Sequence, residues 1–147
     1  MQTKNERLPS LFLLIYMVLL LISYSMYVIL ENTRLSHAQQ WLSETNITQN
    51  GVDSISQLGR WITLSESVFL LIFVIAMIVV MVRYQKKPTN QFFIGNAALF
   101  VGIAIVSYVI SLMSSLPIGN LIQPVIIPTF ILIAVYIYRL WKTRYEK

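Results

Sequence analysis

The chain has 147 residues, of which 56% are hydrophobic and 12% are charged, and its mean hydropathy is +0.68. Soluble domains carry about 25% charged residues, so the composition excludes an ordinary water-soluble protein, and the formal charge of +5 needs another explanation than nucleic acid. The absence of cysteine excludes disulfides and thiol chemistry, and the single histidine, His37, excludes a multi-histidine centre, so we expect no metal and no cofactor.

The apolar residues are concentrated in four blocks. At ~1.5 Å per residue, a helix of about 20 residues spans the ~30 Å hydrocarbon core of a bilayer. Backbone groups in lipid must form hydrogen bonds within the protein, so each block predicts a transmembrane helix. The predicted fold is all-α, a polytopic four-transmembrane-helix bundle in which residues 1–147 form a single membrane domain. The blocks are Leu11–Leu30, Ile62–Val82, Phe92–Met113 and Leu121–Tyr138, and the expected spans cover about residues 9–30, 62–82, 91–113 and 120–140.

Between spans one and two, residues 31–61 are expected to form a short helical extracytoplasmic loop. Apolar residues recur there at three- and four-residue steps, which is typical of amphipathic helices. We expect two short helices that fold back on each other at a tip near residues 45–51, where Asn50-Gly51 is a turn signal. The alternatives are helices that rest on lipid headgroups and a small cap that offers a surface to a partner. The recurring residues are Leu35, Ala38, Leu42, Val52, Ile55, Leu58 and Ile62.

Span two begins with an acid, Glu66. The segment Thr63-Leu64-Ser65-Glu66 matches the capping box, in which Thr63 caps a helix and Glu66 bonds back to the Thr63 amide. A carboxylate in the first turn also interacts favourably with the helix dipole. Capping is the preferred interpretation, because it explains both the residue and its position.

The alternative for Glu66 is a polar layer in the outer half of the membrane. Counting from the inner helix ends places residues of all four spans at the same depth. Ionisable residues within a span face the bundle interior or a cavity and often mark a functional site. The layer is either a belt of interhelical hydrogen bonds or an outward-open ligand pocket. Its predicted members are Tyr27, Glu66, Ser107, Ser111 and Gln123.

Spans three and four carry packing and bending signals. Gly95, Ala98 and Gly102 lie on one face of span three, and small residues of this kind let helix backbones approach closely. A second small stripe includes Ser107 and Ser111, so we expect span three to pack on two sides. Pro124 and Pro128 predict a bend or a delayed start of the fourth helix.

The basic residues lie mainly at one end of the predicted bundle. The loop 31–61 and the turn between spans three and four carry few or no cations, and this asymmetry follows the positive-inside rule. We therefore expect a multi-pass protein of the cell membrane with both termini in the cytoplasm, in contact with anionic lipid there and not with nucleic acid. The predicted lipid-interface residues are Arg83, Lys86, Lys87, Arg139, Lys142 and Arg144.

The sequence contains no phosphate-binding loop, zinc-protease motif, catalytic triad or paired carboxylates, so we do not expect an enzyme. The preferred hypothesis is a bacterial membrane protein that acts by protein–protein contacts, as an accessory, assembly, immunity or regulatory subunit of a membrane complex. It predicts a membrane-protein partner or a homo-oligomer. The alternative is a small transporter, channel or ligand sensor with an outward-facing pocket around Glu66.

Overall fold

The structure, a computed structural model, describes residues 10–43, 49–84 and 86–145, and it describes the side chains of all of these except residues 10, 86–88 and 143–145. Four helices account for nearly all of these residues, so the predicted all-α four-helix bundle is confirmed. Each helix is long and apolar enough to span a membrane. The helices are α1 (Ser10–Ser43), α2 (Gln49–Arg83), α3 (Lys86–Met113) and α4 (Ile118–Tyr145).

The first two helices extend beyond the expected spans. α1 has 34 residues and α2 has 35, which corresponds to about 50 Å against a hydrocarbon core of ~30 Å. Among the described residues, the prediction of helix in the loop 31–61 is therefore correct, and these helical segments are continuous with the two spans. Of the expected tip near residues 45–51, Asn50-Gly51 lies in the first turn of α2 and not in a turn, whereas residues 45–48 lie outside the described part of the chain. Helix propagation is cooperative, and no proline interrupts either helix, so both continue without a break.

The helices form two hairpins that pack against each other. α1 contacts α2 along its length, α3 contacts α4, and α4 also packs against α2. We call the end at which α1 ends, α2 begins and the α3–α4 turn lies the loop end. The opposite end, where residues 10 and 145 lie, is the termini end. This arrangement brings the first turns of α4 next to the middle of α1 and α2.

The core between the hairpins is aromatic, whereas the outside is apolar and exposed. Phe69, Phe73 and Phe92 are each at most 1% exposed, and the Phe73 and Phe100 rings pack with centroids 5.7 Å apart. On the outer surface, Leu14 is 61% exposed and Phe130 is 69% exposed. Apolar side chains exposed on every helix would be unfavourable in water, and lipid is the solvent that suits them.

The fourth helix begins before its prolines. α4 starts at Ile118 and runs through both Pro124 and Pro128, so the alternative of a delayed helix start is wrong. Each proline lacks the backbone N–H that would bond to the carbonyl four residues earlier. The carbonyls of Asn120 and Pro124 therefore have no intrahelical donor at that position.

Candidate functional site

The buried face of α1 is lined by tyrosines whose hydroxyls bond to other helices. The Tyr16 hydroxyl donates to Asn96 Oδ1 at 2.5 Å, and the Tyr24 hydroxyl lies 2.7 Å from Ser107 Oγ on α3. Such pairs satisfy hydroxyls that would be costly to leave unpaired in lipid. α1 is therefore held to its neighbours by polar contacts as well as by apolar packing.

Tyr27, the outermost of these tyrosines, bonds to the backbone of α4. Its hydroxyl donates to the Asn120 carbonyl oxygen at 2.6 Å. This carbonyl is the one that Pro124 leaves without a helical donor. The Tyr27 side chain of α1 thus replaces the backbone donor that α4 lacks at Pro124.

The most buried acid of the site is Glu31, which is 1% exposed. Its carboxylate accepts two hydrogen bonds from the Arg34 guanidinium, at 2.6 and 3.0 Å, and one from Asn120 Nδ2 at 2.5 Å. Sequence reasoning missed Glu31 and Arg34 because both lie in the segment 31–61, which was expected to form a loop outside the spans. The signal that identifies them is spacing: Tyr24, Tyr27, Glu31 and Arg34 follow one another at three- and four-residue steps, on one face of a continuous helix.

Glu66 does not cap a helix. α2 begins at Gln49, so residues 63–66 lie in its interior, and the Thr63 hydroxyl donates to the Gly59 carbonyl at 3.1 Å. The preferred capping interpretation is therefore wrong, because the helix already has its N-terminus fourteen residues earlier. Instead, the half-buried Glu66 carboxylate lies beside the Gln123 side chain, and both residues line the same pocket.

Two acid–amide pairs thus hold the start of α4. Glu31 of α1 accepts a hydrogen bond from Asn120, and Glu66 of α2 lies beside Gln123, three residues further along α4. Both carboxylates lie near the N-terminus of α4, where the helix dipole favours negative charge. The first turns of α4 are therefore clamped between the two long helices.

A polar pocket of about 430 Å³ lies between α1 and α2 beside this clamp. Of the predicted polar layer, Tyr27, Glu66 and Gln123 line this pocket, whereas Ser107 and Ser111 do not. Ser107 is buried against Tyr24, and the Ser111 hydroxyl donates to the Tyr108 carbonyl of its own helix. The pocket is lined by Tyr27, Glu31, Arg34, Ser56, Gly59, Arg60, Ile62, Thr63, Glu66 and Gln123.

The pocket ends on a packed core. At the level of Glu66, Ser23 and Ser65 each donate a side-chain hydrogen bond to the other's carbonyl, at 3.4 and 3.2 Å, and tie α1 to α2. The next inward-facing residues of α2, Phe69 and Phe73, are 1% and 0% exposed. The pocket therefore lies at the loop end and is closed on the side that faces the bundle core.

Two of the charged side chains that line the pocket take part in no ion pair with a described residue. Arg34 is paired with Glu31 at 2.6 Å, but among the residues that the structure describes neither Glu66 nor Arg60 forms an ion pair. Glu66 and Arg60 are six residues apart on α2, a rise of about 9 Å. The part of α2 that lines the pocket thus carries a negative charge and a positive charge that are well separated from each other.

The predicted packing face of α3 is only partly covered. A side chain at Gly95 would contact the Met17 methyl group at 3.4 Å, whereas Gly102 has open space and Ala98 is exposed. For Ala98 and Gly102, close helix packing stays a prediction.

The predicted lipid-interface residues lie at the termini end. Arg83 and Lys142 are exposed, and Arg139 donates a hydrogen bond to Asn90 Oδ1 at 3.2 Å. Lys86, Lys87 and Arg144 belong to the terminal turns of α3 and α4, but their side chains lie outside the described part.

Comparison with known proteins adds no further constraint. No family model matches the chain, and neither a curated protein nor a solved structure shows significant similarity to it.

Proposed function

We propose that the protein is a membrane sensor that binds a small polar ligand in the pocket between α1 and α2. The observation that carries the proposal is the Glu66 carboxylate, which lines a polar recess beside the Gln123 amide and forms no ion pair with any residue that the structure describes. The pocket volume of about 430 Å³ falls within the range of ordinary ligand sites, about 300–1,000 Å³.

The charges of the pocket indicate the ligand class. A cationic group beside Glu66 would complete an ion pair in a partly desolvated site, where such pairs are stronger than in water. An anionic group would bind Arg60, because a guanidinium forms paired hydrogen bonds with carboxylates and phosphates. A zwitterion whose charges are several ångströms apart therefore fits better than a simple cation or anion.

The packed base of the pocket favours a sensor over a channel or carrier. Phe69 and Phe73 fill the space beneath it, and neither is exposed to a passage. Ligand occupancy acts instead on the two acid–amide pairs that hold α4, because Glu66 and Gln123 belong to both the pocket and the clamp. A change in the position of α4 is the signal that a partner protein would receive.

The test uses three five-carbon probes that differ only in charge: pentylamine, pentanoate and 5-aminopentanoate. Thermal unfolding of the purified protein in nanodiscs is recorded with each probe at millimolar concentration. Ligands that bind only the folded state raise the melting temperature. We expect the largest rise with 5-aminopentanoate and its loss in Glu66→Gln, which keeps a polar side chain of the same size beside Gln123 but removes the charge.

The matched control is Asp53→Asn, which makes the same change at an exposed acid of the same helix, outside the pocket. It should respond to the probes like the unaltered protein. Equal responses of Glu66→Gln and the unaltered protein, or no response to any probe, would overturn the assignment.

A second candidate is an accessory subunit that acts by protein–protein contacts. Two observations favour it: Ala98 and Gly102 offer an uncovered small-residue face, and Leu42 is 76% exposed on the projecting hairpin. Native purification in mild detergent should then return a complex or a homo-oligomer that Gly102→Leu disrupts. Recovery of monomer alone would contradict this candidate.

We further propose a bacterial plasma membrane location with both termini in the cytoplasm. The cations at the termini end support this orientation through the positive-inside rule. The pocket at the loop end then faces the cell exterior, which suits a receptor for an extracellular ligand. Anionic lipid would surround the basic end in the inner leaflet.

A further inference from the structure

A long apolar trough runs between α3 and α4 on the lipid-facing side. It consists of two adjoining cavities, of about 290 and 470 Å³, which share Ala97, Leu132 and Ile133 as lining residues. On α3 the trough extends from Asn90 to Ala104, a rise of about 21 Å. Because one leaflet contributes about half of a ~30 Å hydrocarbon core, the trough is long enough to hold one lipid tail.

Small side chains on α3 create the trough. Ala97 and Ala104 are seven residues apart, on the same side of the helix, and both are exposed. They leave the space between the two backbones unfilled at two successive levels, whereas larger residues of α4 such as Phe130 and Ile133 form its wall. An apolar chain of small cross-section complements this shape.

A fixed cation lies at the termini end of the trough. Arg139 donates to Asn90 Oδ1 at 3.2 Å, and its guanidinium lies over the Phe93 ring, 5.5 Å from the centroid. Asn90 and Phe93 are themselves lining residues. Among the described residues, Arg139 contacts this amide and this ring and no carboxylate, so it retains N–H donors and its full charge for a ligand.

From these contacts we infer that the trough is a binding site for one anionic phospholipid of the leaflet at the termini end. The phosphate bonds to the guanidinium of Arg139, and one acyl chain lies along Ala97 toward Ala104. Arginine is well suited to this role, because its planar fork bonds to phosphate oxygens in a bidentate manner. This site is independent of the ligand pocket and more specific than a general attraction of the basic end for anionic lipid.

Native mass spectrometry of the protein released from nanodiscs tests this inference. The nanodiscs contain equal parts of phosphatidylglycerol and phosphatidylcholine. We expect one retained phosphatidylglycerol per chain, and about tenfold weaker retention in Arg139→Gln, a difference that corresponds to about 1.4 kcal/mol. The matched control is Arg83→Gln, which removes an exposed arginine from the same end of the bundle but not from the trough.

A second pair of variants tests the acyl-chain position while keeping the charge. Ala97→Leu fills the trough and should weaken retention, whereas Ala98→Leu enlarges an exposed neighbour that does not line it and should not. Circular dichroism verifies that each variant keeps its helix content. Equal losses in Arg139→Gln and Arg83→Gln, retention unaffected by Ala97→Leu, or a protein dimer in place of the bound lipid would each overturn the inference.

Discussion

The hydroxyl of Tyr27 donates a 2.6 Å hydrogen bond to the backbone carbonyl of Asn120, a residue 93 positions away in the chain. Pro124 deprives this carbonyl of its helical donor, so the contact replaces a hydrogen bond that α4 lacks. The Asn120 side chain bonds to Glu31 at the same time. Asn120 of α4 thus binds two residues of α1: its backbone carbonyl bonds to Tyr27, and its side chain bonds to Glu31.

Removal of the Tyr27 hydroxyl should destabilise the bundle. Tyr27→Phe keeps the ring packing but leaves the Asn120 carbonyl unpaired, and interhelical hydrogen bonds in membranes contribute about 0.6–1.7 kcal/mol. We expect a loss of stability in that range, measured by reversible unfolding in mixed micelles. Tyr108→Phe, at a tyrosine that is 55% exposed, should change stability little. A cost equal to that of Tyr108→Phe would contradict the proposed role of the hydroxyl.

Restoring a backbone N–H donor in α4 should reduce the loss of stability that is caused by removing the Tyr27 hydroxyl. Pro124→Ala returns the N–H that bonds to the Asn120 carbonyl, so in this background Tyr27→Phe leaves no unpaired group. A double-mutant cycle should therefore show coupling between Tyr27 and Pro124. Pro128→Ala is the control, because it supplies a donor to the Pro124 carbonyl and not to that of Asn120. Additive effects of Tyr27→Phe and Pro124→Ala would refute the explanation.

Removing the charge of Arg34 should destabilise the protein more than removing the charge of its ion-pair partner, Glu31. The side chain of Glu31 is 2% exposed, whereas that of Arg34 is 39% exposed and reaches water when it is left alone. Arg34→Gln leaves a buried carboxylate without its cation, which costs about 3–5 kcal/mol. Glu31→Gln should cost less, about 1.5–3 kcal/mol, because it removes only charge-assisted hydrogen bonds. Equilibrium unfolding of both variants measures the difference, and the reverse order would show that Glu31 is not the buried partner.

The loop end should be accessible from outside the cell. The chain has no cysteine, so single cysteines can be introduced without background labelling. Leu42→Cys, on the projecting part of α1, should react with a membrane-impermeant maleimide on intact cells. Lys142→Cys, at the exposed end of α4, should react only after permeabilisation. Labelling of Lys142→Cys on intact cells would reverse the proposed orientation and place the pocket in the cytoplasm.

Local sequence patterns were sufficient for the number and position of the membrane-crossing segments, but not for the limits of the helices. Apolar blocks of about 20 residues indicate a span wherever they occur, because the bilayer itself selects them. The same patterns misassigned Thr63 and Glu66 to a helix start, since a capping box in the interior of a helix looks the same in sequence as one at its beginning.

The members of the candidate site were only partly predictable. Tyr27, Glu66 and Gln123 share a depth that counting along the helices reveals, and they do line one pocket. Ser107 has a similar depth but faces Tyr24 instead, because depth does not determine the direction in which a helix turns its side chains. Arg60 and Glu31 were recognised only when α1 and α2 proved to be continuous.

By itself, the sequence determined that this chain is a bundle of four apolar helices with its cations concentrated at one end, since both properties depend on composition over short stretches. The tertiary structure alone decided which acid is buried, which amides of α4 pair with Glu31 and Glu66, and where the pocket and the trough lie. These features depend on contacts between residues far apart in the chain. In lipid, the hydrophobic effect does not choose among alternative helix faces, so the packing of specific side chains makes that choice.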